Sequence, residues 1–212
     1  MEIIILVLAF AVTITIHEMA HAWAADRLGD PTARLAGRLS INPMVHYDPV
    51  GTTLLIVTVF LTSLGIAPFP FGWAKPVPID PYNLRHPRKD AATISLAGPL
   101  TNLIFASILA FVVRVSGNSL IFSLFYPVIL LNVALAVFNL IPIHPLDGGK
   151  VIVGILGGRD AKALDAFLSR YGTLLLFFLI FPVFGGTSLV SIIVIPIVNL
   201  LIGFLLPGAG LI

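Results

Sequence analysis

A chain of 212 residues that is 58% hydrophobic and only 10% charged lies far from the soluble-domain norm of about half apolar and a quarter charged. Its formal charge of +2 comes from basic residues scattered through loops, which excludes the basic stripe of a nucleic-acid-binding surface. With no cysteine, disulfide and thiolate chemistry are excluded, and any metal must be held by His, Asp or Glu.

The first apolar run, residues 3–25, meets the ~20 residues needed to cross ~30 Å of hydrocarbon. It lacks the basic flank and small-residue cleavage site of a signal peptide, so it is expected to stay as a transmembrane helix. Further runs lie at about 51–66, 91–113, 120–143, 168–184 and 188–206, the last two interrupted by Pro182 and Pro196, which a membrane helix absorbs as kinks. The 51–66 run is short, begins at Gly51-Thr52-Thr53 and meets Gly65, Pro68 and Pro70. It fits a re-entrant or in-plane segment, with a full crossing as the alternative.

The basic residues support the re-entrant reading. Arg27, Arg34 and Arg38 precede the 51–66 run, Lys75, Arg85, Arg88 and Lys89 follow it, and Lys150, Arg159, Lys162 and Arg170 follow the fourth run. All three loops belong on the cytoplasmic side by the positive-inside rule, which a single crossing at 51–66 forbids. Five crossings follow, with the N-terminus outside and the C-terminus cytoplasmic. Six is the alternative.

Stretches 38–50 and 69–80 are rich in Pro, Asn and Gly with some apolar alternation, and they predict short strands or hairpins near the interface. Trp23 and Trp73 suit an aromatic belt or a core position equally.

Chemistry concentrates in His17-Glu18-Met19-Ala20-His21. On a helix two histidines four apart project from one face and can share a metal, with Glu18 beside them as a base. Two imidazoles and a carboxylate inside an apolar run cost several kcal/mol unless paired or ligated. Zinc hydrolases usually present three protein ligands and keep one open position, so a third ligand is expected from another segment. Of the ten Asp and Glu residues, Glu2 lies at the terminus and seven lie in polar loops, which leaves Glu18 and Asp147 at or beside apolar spans. Asp147 follows Asn139-Leu140-Ile141-Pro142-Ile143-His144-Pro145-Leu146 and precedes Gly148-Gly149, a run that breaks a membrane helix where only buried or water-lined backbone is tolerated.

These motifs resemble the site-2 proteases, prokaryotic intramembrane zinc proteases that pair an HExxH helix with a later N-x-x-P-x-x-x-L-D-G segment. The match includes Ala97-Gly98-Pro99-Leu100-Thr101-Asn102, similar to the small-residue motif of that family's middle core helix, and Phe71-Gly72-Trp73-Ala74-Lys75-Pro76-Val77, which looks like its substrate-facing strand region. The resemblance implies an all-α polytopic membrane protein with a three-helix catalytic core (residues 3–25, 91–113 and 120–147) and short interfacial β-hairpin or re-entrant elements. One intramembrane metalloprotease domain would span 1–212, with the core at about 1–150 and accessory helices at about 165–208.

It further implies one Zn2+ per chain, held by His17, His21 and Asp147 toward the cytoplasmic side, Glu18 as the catalytic base and Asn139 as a polar contact to the substrate or oxyanion. Membrane-anchored proteins would be cleaved within or beside the plasma membrane, entering as an extended strand that pairs with the 38–50 and 69–80 regions. For Gly98 and Asn102 close packing and interhelical hydrogen bonding is the favoured role. His46 and His144 are expected to be hydrogen-bonded rather than ligating. A metal transporter would also place ionisable groups in the membrane, but it predicts repeated halves, and the sequence shows no repeat.

Overall fold

The computed structural model describes residues 2–64, 72–181 and 188–207. Helix α1 (Glu2–Arg27) leads to the single turn α2 (Thr32–Leu35), then α3 (Pro49–Ser63), the long α4 (Pro87–Ser116), α5 (Ser119–Asn139), α6 (Asp147–Ile155), α7 (Gly158–Ile180) and α8 (Leu189–Leu205). Short 3-10 turns occupy Pro43–Val45 and Pro81–Asn83. Asp48 and Asn118 set where α3 and α5 begin, their side chains accepting from the N–H groups of Gly51 and Leu120 at 2.8 Å each, which satisfies donors that a helix start leaves open. At its far end α4 closes on Gly117, whose φ of 56° is the left-handed cap that glycine adopts without strain.

Among the described residues four helices are long and apolar enough to span a bilayer: α1, α4, α5 and α7. The fifth expected crossing is α8, whose 17 residues reach about 25 Å, with Pro196 inside an unbroken helix. Pro182 lies outside the described residues.

Helix α4 packs antiparallel to both α1 and α5, and the three build the centre of the bundle. The register is fixed at two points: His21 against the Ile94 carbonyl, and Asn132 donating to the Thr13 hydroxyl at 2.8 Å. Val190, Val194, Val198 and Ile202 of α8 close an apolar core with Ala106, Ala110, Ile129 and Val133, away from the polar face of α1.

The Lys75 N–H donates to the His46 carbonyl at 2.9 Å, so the segments before and after α3 meet, in keeping with the re-entrant reading from charge.

Along 38–50 and 72–80 the expected strands do not form, and there is no strand among the described residues; residues 69–71 lie outside the described residues. Pro76 and Pro78 have no N–H to give a ladder, and the buried Arg38 guanidinium takes the carbonyls of Val45, Lys75 and Pro76. A substrate strand therefore finds little free edge along 75–78. Trp23 and Trp73 are exposed rather than in the core, and Arg27 stacks over the Trp23 ring at 5.3 Å.

Asp30 ties these loops together. Its fully buried carboxylate accepts from the N–H and hydroxyl of Thr32, the Asn83 amide and the Asp80 N–H, joining the exit of α1 to the approach to α4. Burial alone pushes its pKa up, but the bonds from Thr32, Asn83 and Asp80 outweigh that and hold it below the usual carboxylate range. A pKa lowered on folding gives stability that is present above the unfolded value of ~3.9 and is lost as pH falls through the folded value. Asp30→Ala should cost about 1–3 kcal/mol, read as a lower thermal midpoint in detergent at pH 7, and the gap from wild type should shrink as the pH is taken toward 3.

Candidate metal centre

Helix α1 sets His17 and His21 one turn apart on its buried face, and their rings meet edge to face with centroids 4.6 Å apart. The third group arrives on a separate element. After α5 stops at Asn139, the chain turns through Pro142 and Pro145 and restarts as α6, with Asp147 its first residue. Gly148 and Gly149 follow because a side chain at either would strike the turn: a Cβ at Gly148 would meet the Leu140 and Ile141 carbonyls, and one at Gly149 would lie 2.5 Å from His144 Nδ1.

The three donors converge. His17 Nε2 lies 3.0 Å from His21 Nε2, and Asp147 Oδ2 lies 3.2 and 3.3 Å from those two nitrogens. They form the one His, Asp and Glu group among the described residues that could hold a metal ion. Zinc–ligand bonds of ~2.0–2.1 Å in a tetrahedron place neighbouring ligands about 3.3 Å apart, so these donors fit one zinc ion.

Behind His21 the shell is also built, whereas the buried His17 Nδ1 has no hydrogen-bond partner among the described residues. His21 Nδ1 lies 2.7 Å from the Ile94 carbonyl. A carbonyl only accepts, so Nδ1 carries the proton and Nε2 keeps its lone pair for a metal. Gly98 lets α4 approach, since a Cβ there would lie 2.5 Å from His21 Nε2 and 2.7 Å from His17 Cε1. That close-packing role agrees with the sequence expectation for Gly98. Asn102, one turn along α4, is fully buried with neither amide atom bonded; the interhelical hydrogen bond expected of it is made by Asn132 to Thr13 instead.

Other predicted residues fall outside the triad. Glu18 is half-buried on α1, close enough to Arg38 for its charge to act on the guanidinium. Asn139 ends α5, its amide donating to the Leu135 carbonyl at 3.1 Å, and no contact joins it to the three converging donors. His46 is buried against the Ser40 carbonyl at 2.9 Å, and His144 pairs with Asp165 of α7 at 3.1 Å, so neither joins the donors. Sequence spacing missed the Ile94 carbonyl, because a backbone acceptor leaves no residue signature.

A family model described as Peptidase family M50 matches residues 5–119 and 115–183. YwhC of Bacillus subtilis (strain 168), which carries a zinc metalloprotease name, is 36% identical over 208 residues, covering 92% of this chain and 85% of its own. Rip2 of Mycolicibacterium smegmatis, with a similar name, is 30% identical over 166 residues, covering 76% of this chain and 61% of its own. Zinc metalloprotease MJ0392 of Methanocaldococcus jannaschii is 35% identical over 78 residues, 34% of this chain and 22% of its own. No solved structure matches with comparable significance.

Gly98→Ala should displace both imidazoles, because the new methyl meets two packed rings. The purified variant is expected to carry well under half the metal of wild type by elemental analysis, while an Ala at Gly203, where a Cβ has open space, leaves metal content unchanged.

Proposed function

The chain belongs to peptidase family M50, the site-2 proteases, and on that premise we propose that this multi-pass zinc metallopeptidase is an intramembrane endopeptidase cleaving membrane-anchored proteins at the His17–His21–Asp147 centre. The observation that carries the reading is the convergence of those three donors, from a spanning helix and a deliberately broken one, to within 3.3 Å. They hold the zinc that the family requires. Bound there, zinc supplies Lewis-acid polarisation and lowers the pKa of water toward ~7.

The remaining chemistry belongs to the chain. Glu18 follows His17 directly and is the polar group of α1 best placed to take a proton from the attacking water and return it to the leaving amine. Asn139 spends one amide N–H on Leu135 and keeps another for the substrate carbonyl. The substrate enters with its local helix opened, because helical hydrogen bonding buries the scissile carbonyl. The buried apolar surround from α1, α4 and α5 limits water to what the reaction consumes.

The centre lies nearer the end of α4 that carries Arg88 and Lys89, since Ile94 and Gly98 face it. The positive-inside rule favours a cytoplasmic position for that end, which supports cleavage toward the cytoplasmic face of the plasma membrane. One domain carries the activity, with α7 and α8 as accessory helices.

Glu18→Gln should keep one zinc per chain yet lose cleavage of a membrane-anchored substrate by about 10²–10⁴-fold. His17→Ala should lose both metal and cleavage. Undiminished cleavage by the Glu18→Gln protein would remove Glu18 from the mechanism.

A further inference from the structure

A second polar feature lies apart from the metal donors. The first turn of α4, the outer face of α6 and the first turns of α7 enclose a cavity of 290 Å3. Arg88, Lys150 and Lys162 stand around it, one from each helix, with Ala91, Val153 and Ala161 as its apolar floor. All three cations are exposed, and no ion pair engages any of them among the described residues. The cavity's one acidic residue, Asp165, is turned to His144 at 3.1 Å.

Both α4 and α7 begin at the cavity, each with an acidic residue in its first turn, Asp90 and Asp160, so the positive sign of the cavity rests on the three cations. The cavity sits where α4 passes from Arg88-Lys89-Asp90 to the apolar run that starts at Ala91. That is the depth of lipid headgroups, and basic pockets between spanning helices at this depth suit anionic headgroups.

We infer that this cavity binds the phosphate headgroup of an anionic phospholipid, with Arg88, Lys150 and Lys162 on the phosphate and the acyl chains running along α4 and α7. A lipid fits better than a free anion because the floor is apolar and α4 turns apolar from Ala91, directly at the cavity. Lys150 lies on the helix that opens with Asp147, and Gly154 packs that helix against Ala92 of α4, so a bound headgroup braces α6 between α4 and α7.

The full chain is reconstituted with equimolar phosphatidylglycerol and phosphatidylcholine, extracted, and assayed for retained lipid by native mass spectrometry. Wild type should retain phosphatidylglycerol with at least about 10-fold enrichment, since three cations near the surface act together. Arg88→Gln/Lys150→Gln/Lys162→Gln should fall to near parity. Arg85→Gln/Lys89→Gln/Arg114→Gln, which removes equal charge outside the cavity, should keep the enrichment. Asp165→Asn, which removes the local negative charge, should strengthen it several-fold, so the inference stays testable if the triple variant folds poorly. Parity in wild type, equal loss in the control triple variant, weaker retention in Asp165→Asn, or displacement of the lipid by millimolar inorganic phosphate would each overturn it.

Discussion

Three polar donors in an apolar helix bundle constrain everything around them. Buried apart, two imidazoles and a carboxylate would each be unsatisfied in a medium that penalises them by several kcal/mol. Brought to mutual distances of 3.0 to 3.3 Å, they aim their lone pairs at one point, where a single zinc ion would satisfy all three. The rest of the bundle keeps that meeting point fixed: α1 supplies two donors, α6 the third, and α4 lies across both.

Close approach is what makes the meeting possible. Gly98 leaves room for two imidazole rings against α4, and Gly148 and Gly149 leave room for the turn that aims Asp147. The broken segment between α5 and α6 holds an irregular backbone at a depth where lipid would not tolerate it, and surrounding protein makes it possible. His144 fastens that segment to Asp165 of α7, so the turn that carries the third donor is also held by α7.

Much of this was legible in the chain. Histidines four apart on a continuous apolar helix identify one face of a site, and the scarcity of acids beside apolar spans leaves Asp147 as the partner. The meeting of the segments that flank α3 is in keeping with the charge pattern, because topology signals are carried by side chains. The loops were not legible in the same way. The alternation in 38–50 and 69–80 suggested hairpins, but Arg38 takes the carbonyls a ladder would use and the prolines withhold donors, a competition visible only once distant residues meet. For the same reason neither the Asp30 tie nor the Ile94 carbonyl behind His21 could be read in advance. Each depends on backbone groups, which every residue has and no sequence pattern marks.

The most direct test of the centre is X-ray absorption at the zinc edge of the purified protein. Coordination by His17, His21 and Asp147 predicts two imidazole nitrogens with oxygen ligands at about 2.0–2.2 Å, and the imidazole scattering should halve or vanish in His21→Ala. A shell of oxygen alone, or one unchanged by His21→Ala, would contradict it.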